Sequence, residues 1–110
     1  MLNVEMKKCG STYVRRMEGH AGQADVGHDI VCAAASILCY TAAQTALDMR
    51  DRGELRKKPR IDVEAGESVI TLCPAKDAEA EAIVALRTVA TGFALLAHHY
   101  PEYVRFTSFE

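Results

Sequence analysis

The chain lacks a strong excess of charge of either sign, an apolar leader segment and any internal repeat visible by identity. Its 110 residues carry 13 Lys and Arg against 15 Asp and Glu, so the formal net charge is −2. This balance excludes a general nucleic-acid binder, which presents a strongly basic surface. The first eight residues hold two lysines but no apolar stretch, so we expect no secretory signal and a cytoplasmic location.

The cysteine pattern excludes two common small-domain types. Four cysteines are present, with no Cys-x-x-Cys pair and no His-x-x-x-His clip among the remaining residues. In a cytoplasmic chain these thiols stay reduced, so a disulfide framework is not expected. Cys39 and Cys73 fit small buried hydrophobic residues, whereas Cys9 falls in a predicted turn and has no assigned role.

One segment approaches the length of a membrane span. Residues Ile30 to Leu47 contain no charged side chain, and short transmembrane helices need about this length. Alanine dominates the segment, which also contains Ser36, Thr41 and Gln44, so it is only weakly apolar. We therefore expect no membrane contact and a soluble helix that is buried on several sides.

Alternation of apolar and polar residues predicts strands in both halves of the chain. The predicted strands cover residues 2–7, 12–18, 60–65, 69–73 and 104–109, and the predicted helices cover about 29–50 and 77–99. The fourth strand is apolar on both faces and should be central. This order, β-β-α-β-β-α-β, favours one α+β domain over residues 1–110, a two-layer sandwich whose antiparallel or mixed sheet carries both helices on one face.

Helix boundaries follow from capping residues. Asp29 and Asp77 are each placed to accept a backbone amide bond as an N-cap, and Gly53 is suited to end the first helix. In the second helix, an apolar stripe with alternating spacings of three and four predicts the buried face. Its members are Ile83, Leu86, Ala90, Phe93 and Ala97.

The segment with the clearest chemical content joins the second strand to the first helix. His20 lies on a glycine-bearing loop, and Cys32 follows at the predicted start of the helix. If Asp29 is the N-cap, Cys32 falls in the first helical turn, where unpaired amides and the helix dipole favour a thiolate. An imidazole that reaches this sulfur makes a thiol nucleophile with a general base. Ser36, one turn later, faces the same side or bonds back to a preceding carbonyl.

Other readings of the same residues remain open at this point. Cys32 taken alone is compatible with a buried structural thiol, and Asp29 with a simple cap. His20, His28, Asp29 and Cys32 all have metal-ligating side chains, but their spacing matches no common zinc pattern, so we predict no metal and no cofactor. The basic run from Arg56 to Arg60 leaves open a non-catalytic module that binds ribosome components.

The segments Gly19–Ala21 and Gly27–Ser36, which read GHA and GHDIVCAAAS, resemble the ribosomal-processing cysteine protease family, Prp. The resemblance extends to the length of the chain and the order of its elements. It implies a cysteine endopeptidase with a catalytic dyad at the positions of His20 and Cys32. It also implies secondary roles for Asp29 and Ser36, in orienting the dyad or contacting substrate.

The resemblance further implies a partner and an assembly. Members of the family form homodimers and remove a short N-terminal extension from ribosomal protein 27 of the bacterial large subunit, cleaving after a phenylalanine. The loop between the dyad residues, which here includes Gly22, Asp25, Gly27 and His28, is expected to be mobile and to order around the substrate. No direct contact with nucleic acid is expected.

Overall fold

The computed structural model describes residues 1–19, 26–64 and 66–108, and its elements follow the predicted order. A single 3-10 turn, Lys76–Ala78, precedes the second helix. The strands and helices are β1 Leu2–Cys9, β2 Thr12–Glu18, α1 Val26–Asp51, β3 Arg60–Glu64, β4 Glu67–Leu72, α2 Glu79–His99 and β5 Val104–Thr107.

The five strands form one mixed sheet in the order β3-β4-β2-β1-β5. Only the β1–β5 pair is parallel, and the other three neighbouring pairs are antiparallel. β4 is hydrogen-bonded to β2 on one side and β3 on the other, so it is an internal strand, but the central position that was predicted for it is held by β2. The chain closes the β1–β2 hairpin through Gly10, whose positive φ of 62° suits glycine.

Strand alternation places one face of the sheet against the helices. In β1, the apolar residues Leu2, Val4 and Met6 are buried in the core, as their spacing of two predicts. In β2, the buried positions are Tyr13 and Arg15. The core-facing row of β2 therefore contains a charged residue, which the apolar alternation used to predict the strand did not indicate.

The first helix begins earlier than its predicted cap. α1 starts at Val26, so Gly27, His28 and Asp29 lie within the helix, and the predicted N-cap at Asp29 is wrong. A carboxylate is also favourable inside the first turn, where it complements the positive end of the helix dipole. An aspartate near a helix start therefore did not fix the boundary. The predicted end is confirmed, since Gly53 has a φ of 72° and its amide bonds to the Arg50 carbonyl.

α1 is buried on one face rather than on several. Val31, Ala35 and Cys39 pack into the core, whereas Ile37 is 62% exposed and Tyr40 is 58% exposed. The expectation of burial on several sides is wrong, because α1 packs against the sheet and α2 on its inner side while its outer side remains exposed. Both helices are long and apolar enough to cross a membrane by length and composition, a property that core helices of soluble proteins share.

α2 presents its predicted apolar stripe to the core. Leu86, Ala90 and Phe93 are buried, and the Phe93 ring stacks on Phe106 of β5 with ring centroids 5.9 Å apart. The predicted N-cap at Asp77 is wrong, because Asp77 lies inside the 3-10 turn and the residue preceding α2 is Ala78. Both helices pack on one face of the sheet, and a cleft lies between α1 and the sheet.

Candidate functional site

A cleft of about 440 Å³ lies between the first half of α1 and one end of the sheet. The helix wall is formed by Cys32, Ala35, Ser36, Cys39 and Tyr40. The sheet wall combines apolar, acidic and glycine residues with one serine, namely Leu2, Met17, Gly19, Val63, Glu64, Gly66, Glu67 and Ser68. The cleft therefore offers apolar surface with polar atoms at intervals, which is the usual composition of a ligand site.

The cleft brings together two of the residues singled out from the sequence. Cys32 is half-buried and Ser36 is exposed, and both lie on the wall formed by α1. Their spacing of four residues places them one helical turn apart on the same face. The structure thus gives the Cys32 thiol a route to an extended ligand rather than sealing it in the core.

Cys32 does not lie in the first helical turn, contrary to the prediction. With α1 beginning at Val26, Cys32 is its seventh residue. An amide at this position has a helical carbonyl four residues earlier, so it is not one of the unpaired amides of a helix start. The error follows directly from placing the cap at Asp29. The unpaired amides of α1 lie at its start, about one turn before Cys32.

Gly19 fixes the point at which the chain leaves β2 beside the cleft. Its φ of 111° is unfavourable for residues with a side chain. A Cβ atom at this position would also collide with the backbone carbonyl oxygen of Met1. The next residue in the chain is His20. His20, Gly22 and Asp25 lie outside the described residues.

The chain has two further histidines that the structure describes fully. His98 and His99 are exposed at the end of α2, where their rings meet edge to face. In the described part of the chain, neither of them lines the cleft. The side chains of the other two histidines, His20 and His28, lie outside the described part of the structure.

A buried polar cluster joins Cys39 and Ser68 of the two cleft walls through Arg15, and sequence reasoning missed it. The Arg15 side chain is 1% exposed, and it donates hydrogen bonds to Ser68 Oγ at 2.8 Å and to Cys39 Sγ at 3.0 Å. Burial lowers the pKa of the Arg15 guanidinium, and its contact with Cys39 opposes that shift. The sequence did contain a signal: Arg15 lies two residues from both Tyr13 and Met17, so its side chain points to the same face of β2 as theirs.

Cys39 and Cys73 have their predicted buried environment, whereas Cys9 ends β1 instead of lying in the predicted turn. Cys39 and Cys73 are buried and Cys9 is exposed, and none of the four cysteines, all within the described part of the chain, forms a disulfide. Among the described residues, no group of three His, Cys, Asp or Glu side chains is arranged to hold a metal ion.

Comparison with known families and structures gives one family and several similar folds. Residues 1–105 match the family described as cysteine protease Prp. The structure of the essential ribosomal processing protease Prp from S. aureus, in complex with a substrate peptide, is similar at a TM-score of 0.67 and 22% sequence identity. That match covers 98% of this chain and 99% of the other. No match was found among curated proteins.

A second solved structure supports the same fold. SMU.848 from Streptococcus mutans superimposes with a TM-score of 0.65 at 19% identity, covering 98% of this chain and 93% of the other. At such low identity, the structural similarity establishes the mixed five-stranded sheet with two helices and leaves the site to be argued from its own residues.

Proposed function

Because this chain belongs to the family of the cysteine protease Prp and is a cysteine-type peptidase, we propose that Cys32 is its nucleophile and His20 its general base and acid. One observation carries the proposal: Cys32 is a half-buried thiol on the wall of a cleft large enough for a peptide segment. The other side of this cleft includes Gly19, the residue directly before His20. Since residues 1–105 match a cysteine protease family, the alternative of a non-catalytic module that binds ribosome components is not retained.

The chemistry requires one proton carrier and one sulfur. His20 takes the proton of the Cys32 thiol, and the thiolate forms a bond to the carbonyl carbon of the peptide. When the tetrahedral intermediate collapses, the C–N bond breaks and His20 gives its proton to the leaving amine. Water then attacks the thioester while His20 accepts a proton from it, and that proton returns to the sulfur as the new carboxyl group leaves.

The other three cysteines are less suited to this role. Cys39 lines the cleft but is 2% exposed, and its sulfur accepts a hydrogen bond from Arg15. Cys73 is buried and does not line the cleft. Cys9 is exposed, but it lies at the end of β1 and is not among the residues lining the cleft. Cys32 is accessible to solvent and lies on the wall of the cleft. Both properties are needed to hold a scissile bond near the sulfur.

The surface of the cleft favours an extended peptide with an apolar side chain. Leu2, Met17 and Val63 supply apolar surface, and Glu64 and Glu67 supply carboxylates at the hairpin end of the sheet. We assign the substrate as the N-terminal extension of ribosomal protein 27 of the bacterial large subunit, in the cytoplasm. The similar S. aureus enzyme is a ribosomal processing protease that was solved with a substrate peptide.

We also assign the segment between the dyad residues, including Gly22 and Asp25, as the part that closes over bound peptide. Glycines give a loop the backbone freedom that such closure needs. Hydrogen exchange measured with and without substrate peptide tests this role. Equal protection of these amides in the two states contradicts it.

A homodimer is the assembly we propose, joined through the outer face of the helices. Ile37 is 62% exposed and Leu95 is 55% exposed, and together with Leu38 they line an apolar groove between α1 and α2. An apolar face of this kind is suited to a self-complementary contact. Light scattering of the wild-type chain and of Ile37→Lys tests the arrangement. We expect the wild type to be a dimer and Ile37→Lys to be a monomer. A monomeric wild type contradicts the proposal.

The decisive assay for the dyad is cleavage of the extended ribosomal protein by purified variants. Cys32→Ala and His20→Ala should each lose nearly all activity, because each removes a group that handles the reacting atoms. Cys9→Ala and His98→Ala are the matched controls, because both residues are exposed outside the cleft, and both should retain cleavage. Undiminished cleavage by either dyad variant eliminates the assignment.

A further inference from the structure

β3 is an edge strand that ends at the cleft. Within residues 1–19, 26–64 and 66–108, β4 is the one strand paired with it, and its last two residues, Val63 and Glu64, line the cleft. The other edge strand, β5, contributes no described residue to the cleft. An edge strand carries a row of unpaired backbone amides and carbonyls, which is a template for a further strand.

The register of the β3–β4 hairpin shows which backbone groups of β3 face the open edge. Glu64 pairs with Glu67 across a connection of two residues, and in such a hairpin the pair beside the turn is hydrogen-bonded. Hydrogen-bonded and non-hydrogen-bonded pairs then alternate along the antiparallel ladder. The amides and carbonyls of Glu64 and Asp62 therefore point toward β4, and those of Ile61 and Val63 point to the open edge. In the described ranges, no backbone bond from a turn or loop reaches Ile61 or Val63.

The two faces of β3 separate charged from apolar side chains. Arg60 and Asp62 form an ion pair on the face directed away from the helices, whereas Ile61 packs against the core. Val63 shares the face of Ile61 but is 47% exposed, and Tyr40 on the helix wall of the cleft is 58% exposed. A strand added beside β3 therefore brings every second side chain onto this apolar surface.

We propose that the peptide substrate binds along β3 as a sixth strand of the sheet, with its backbone bonded to the outward amides and carbonyls of Ile61 and Val63. In β-strand addition, main-chain bonds of this kind supply affinity, and contacts to alternate side chains supply selectivity. Since β3 ends in the cleft, one extended chain passes from the strand edge to the wall that carries Cys32. This continuity favours the peptide over a second copy of the chain as the occupant. The assignment rests on the proposed peptidase function.

Amide hydrogen exchange, measured by NMR, tests the proposal in Cys32→Ala, which cannot form a thioester. A synthetic peptide that spans the scissile bond of the ribosomal-protein extension should slow exchange of the Ile61 and Val63 amides by about tenfold or more. The Asp62 amide, already bonded within the hairpin, is the internal control and should change less. Equal slowing of all three amides, no slowing at Ile61 and Val63, or a peptide that does not bind overturns the proposal. Because the nucleophile is absent, failure here is distinct from failure of the catalytic dyad.

Two variants of Val63, made in the same Cys32→Ala chain, isolate one of the proposed bonds. Val63→Pro deletes the amide that faces the open edge and leaves the ladder to β4 intact, so the Kd for the peptide should rise about fivefold or more. Val63→Thr keeps that amide and the branched side chain, and its Kd should rise by a smaller factor. Equal rises in Kd overturn the proposal. Light scattering of Val63→Pro should show the assembly of the parent chain, and conversion of a dimer into a monomer assigns the edge to a second copy instead.

Discussion

The backbone amide of Gly19 donates a hydrogen bond to the carbonyl of Gly66 at 2.9 Å. The bond ties the end of β2 to the β3–β4 hairpin, and both residues line the cleft. Gly19 also packs against the backbone of Met1 and Leu2. Three separate parts of the chain are thereby fixed at the place from which the segment containing His20 departs.

The first prediction concerns this junction. Gly19→Ala should lower the free energy of unfolding by about 3 kcal/mol, because its backbone conformation is strained for alanine and its Cβ meets a backbone carbonyl. Gly10→Ala is the matched control: it also has a positive φ but has open space around it, so about 1 kcal/mol is expected. Urea titration of both variants measures the difference, and equal losses would contradict the role of the Met1 contact.

A second prediction tests whether substrate occupies the cleft. Ser36→Phe should lower kcat/KM by at least about tenfold, because the ring would fill space beside Cys32 and displace the peptide from the sulfur. Ala33→Phe, on the exposed face of the same helix, should leave kcat/KM close to the wild-type value. Similar activity of the two variants in a peptide-cleavage assay would place the substrate elsewhere.

A third prediction concerns stability at alkaline pH. Burial raises the pKa of Tyr13 above its ordinary value of 10.0; its hydrogen bond to Glu79 contributes in the same direction, and Lys8 opposes it. The folded state therefore favours the neutral phenol. This contribution is fully present below pH 10 and is lost as the pH rises through the raised pKa.

The variant Tyr13→Phe isolates that effect. It should lose about 1 kcal/mol at neutral pH through its missing hydrogen bond, and its stability should fall less steeply above pH 10 than that of the wild type. Urea midpoints measured across this pH range provide the comparison. Parallel pH curves for the two proteins would be evidence against a buried neutral phenol.

A fourth prediction concerns the core beneath α2. Phe93 is fully buried and stacks on Phe106, so Phe93→Ala should cost about 3–5 kcal/mol by leaving a cavity. Leu95→Ala, on the exposed side of the same helix, should change the stability by less than about 0.5 kcal/mol. Both substitutions are measured by thermal unfolding in a chain that also carries Ile37→Lys, which we expect to be monomeric. The comparison then reports the core effect without any loss of a dimer contact.

The fold was largely predictable because its elements have strong periodic signals. Alternation in β1 and the apolar stripe ending at Phe93 and Ala97 identify both layers directly from the sequence. The helix starts were not predictable in the same way. Asp29 and Asp77 are favourable both as caps and inside a first turn, so residue type alone does not distinguish these positions.

The candidate site was predicted in part. Its sequence motif identified Cys32 and Ser36, and the structure places both on one wall of a cleft. The contribution of Val63 and Glu64 depended on how the β3–β4 hairpin meets the first half of α1, which is a tertiary relationship without a local signal. Arg15 was missed because a charged residue in a core-facing row runs against the usual pattern.

The identity of the nucleophile is tested most directly by covalent trapping. A chloromethyl ketone built on the apolar end of the ribosomal-protein extension should alkylate one sulfur, and peptide mapping by mass spectrometry locates it. We predict a single adduct on Cys32, formed much more slowly in His20→Ala and absent from Cys32→Ala. An adduct on Cys9, Cys39 or Cys73 in place of Cys32 would contradict the account.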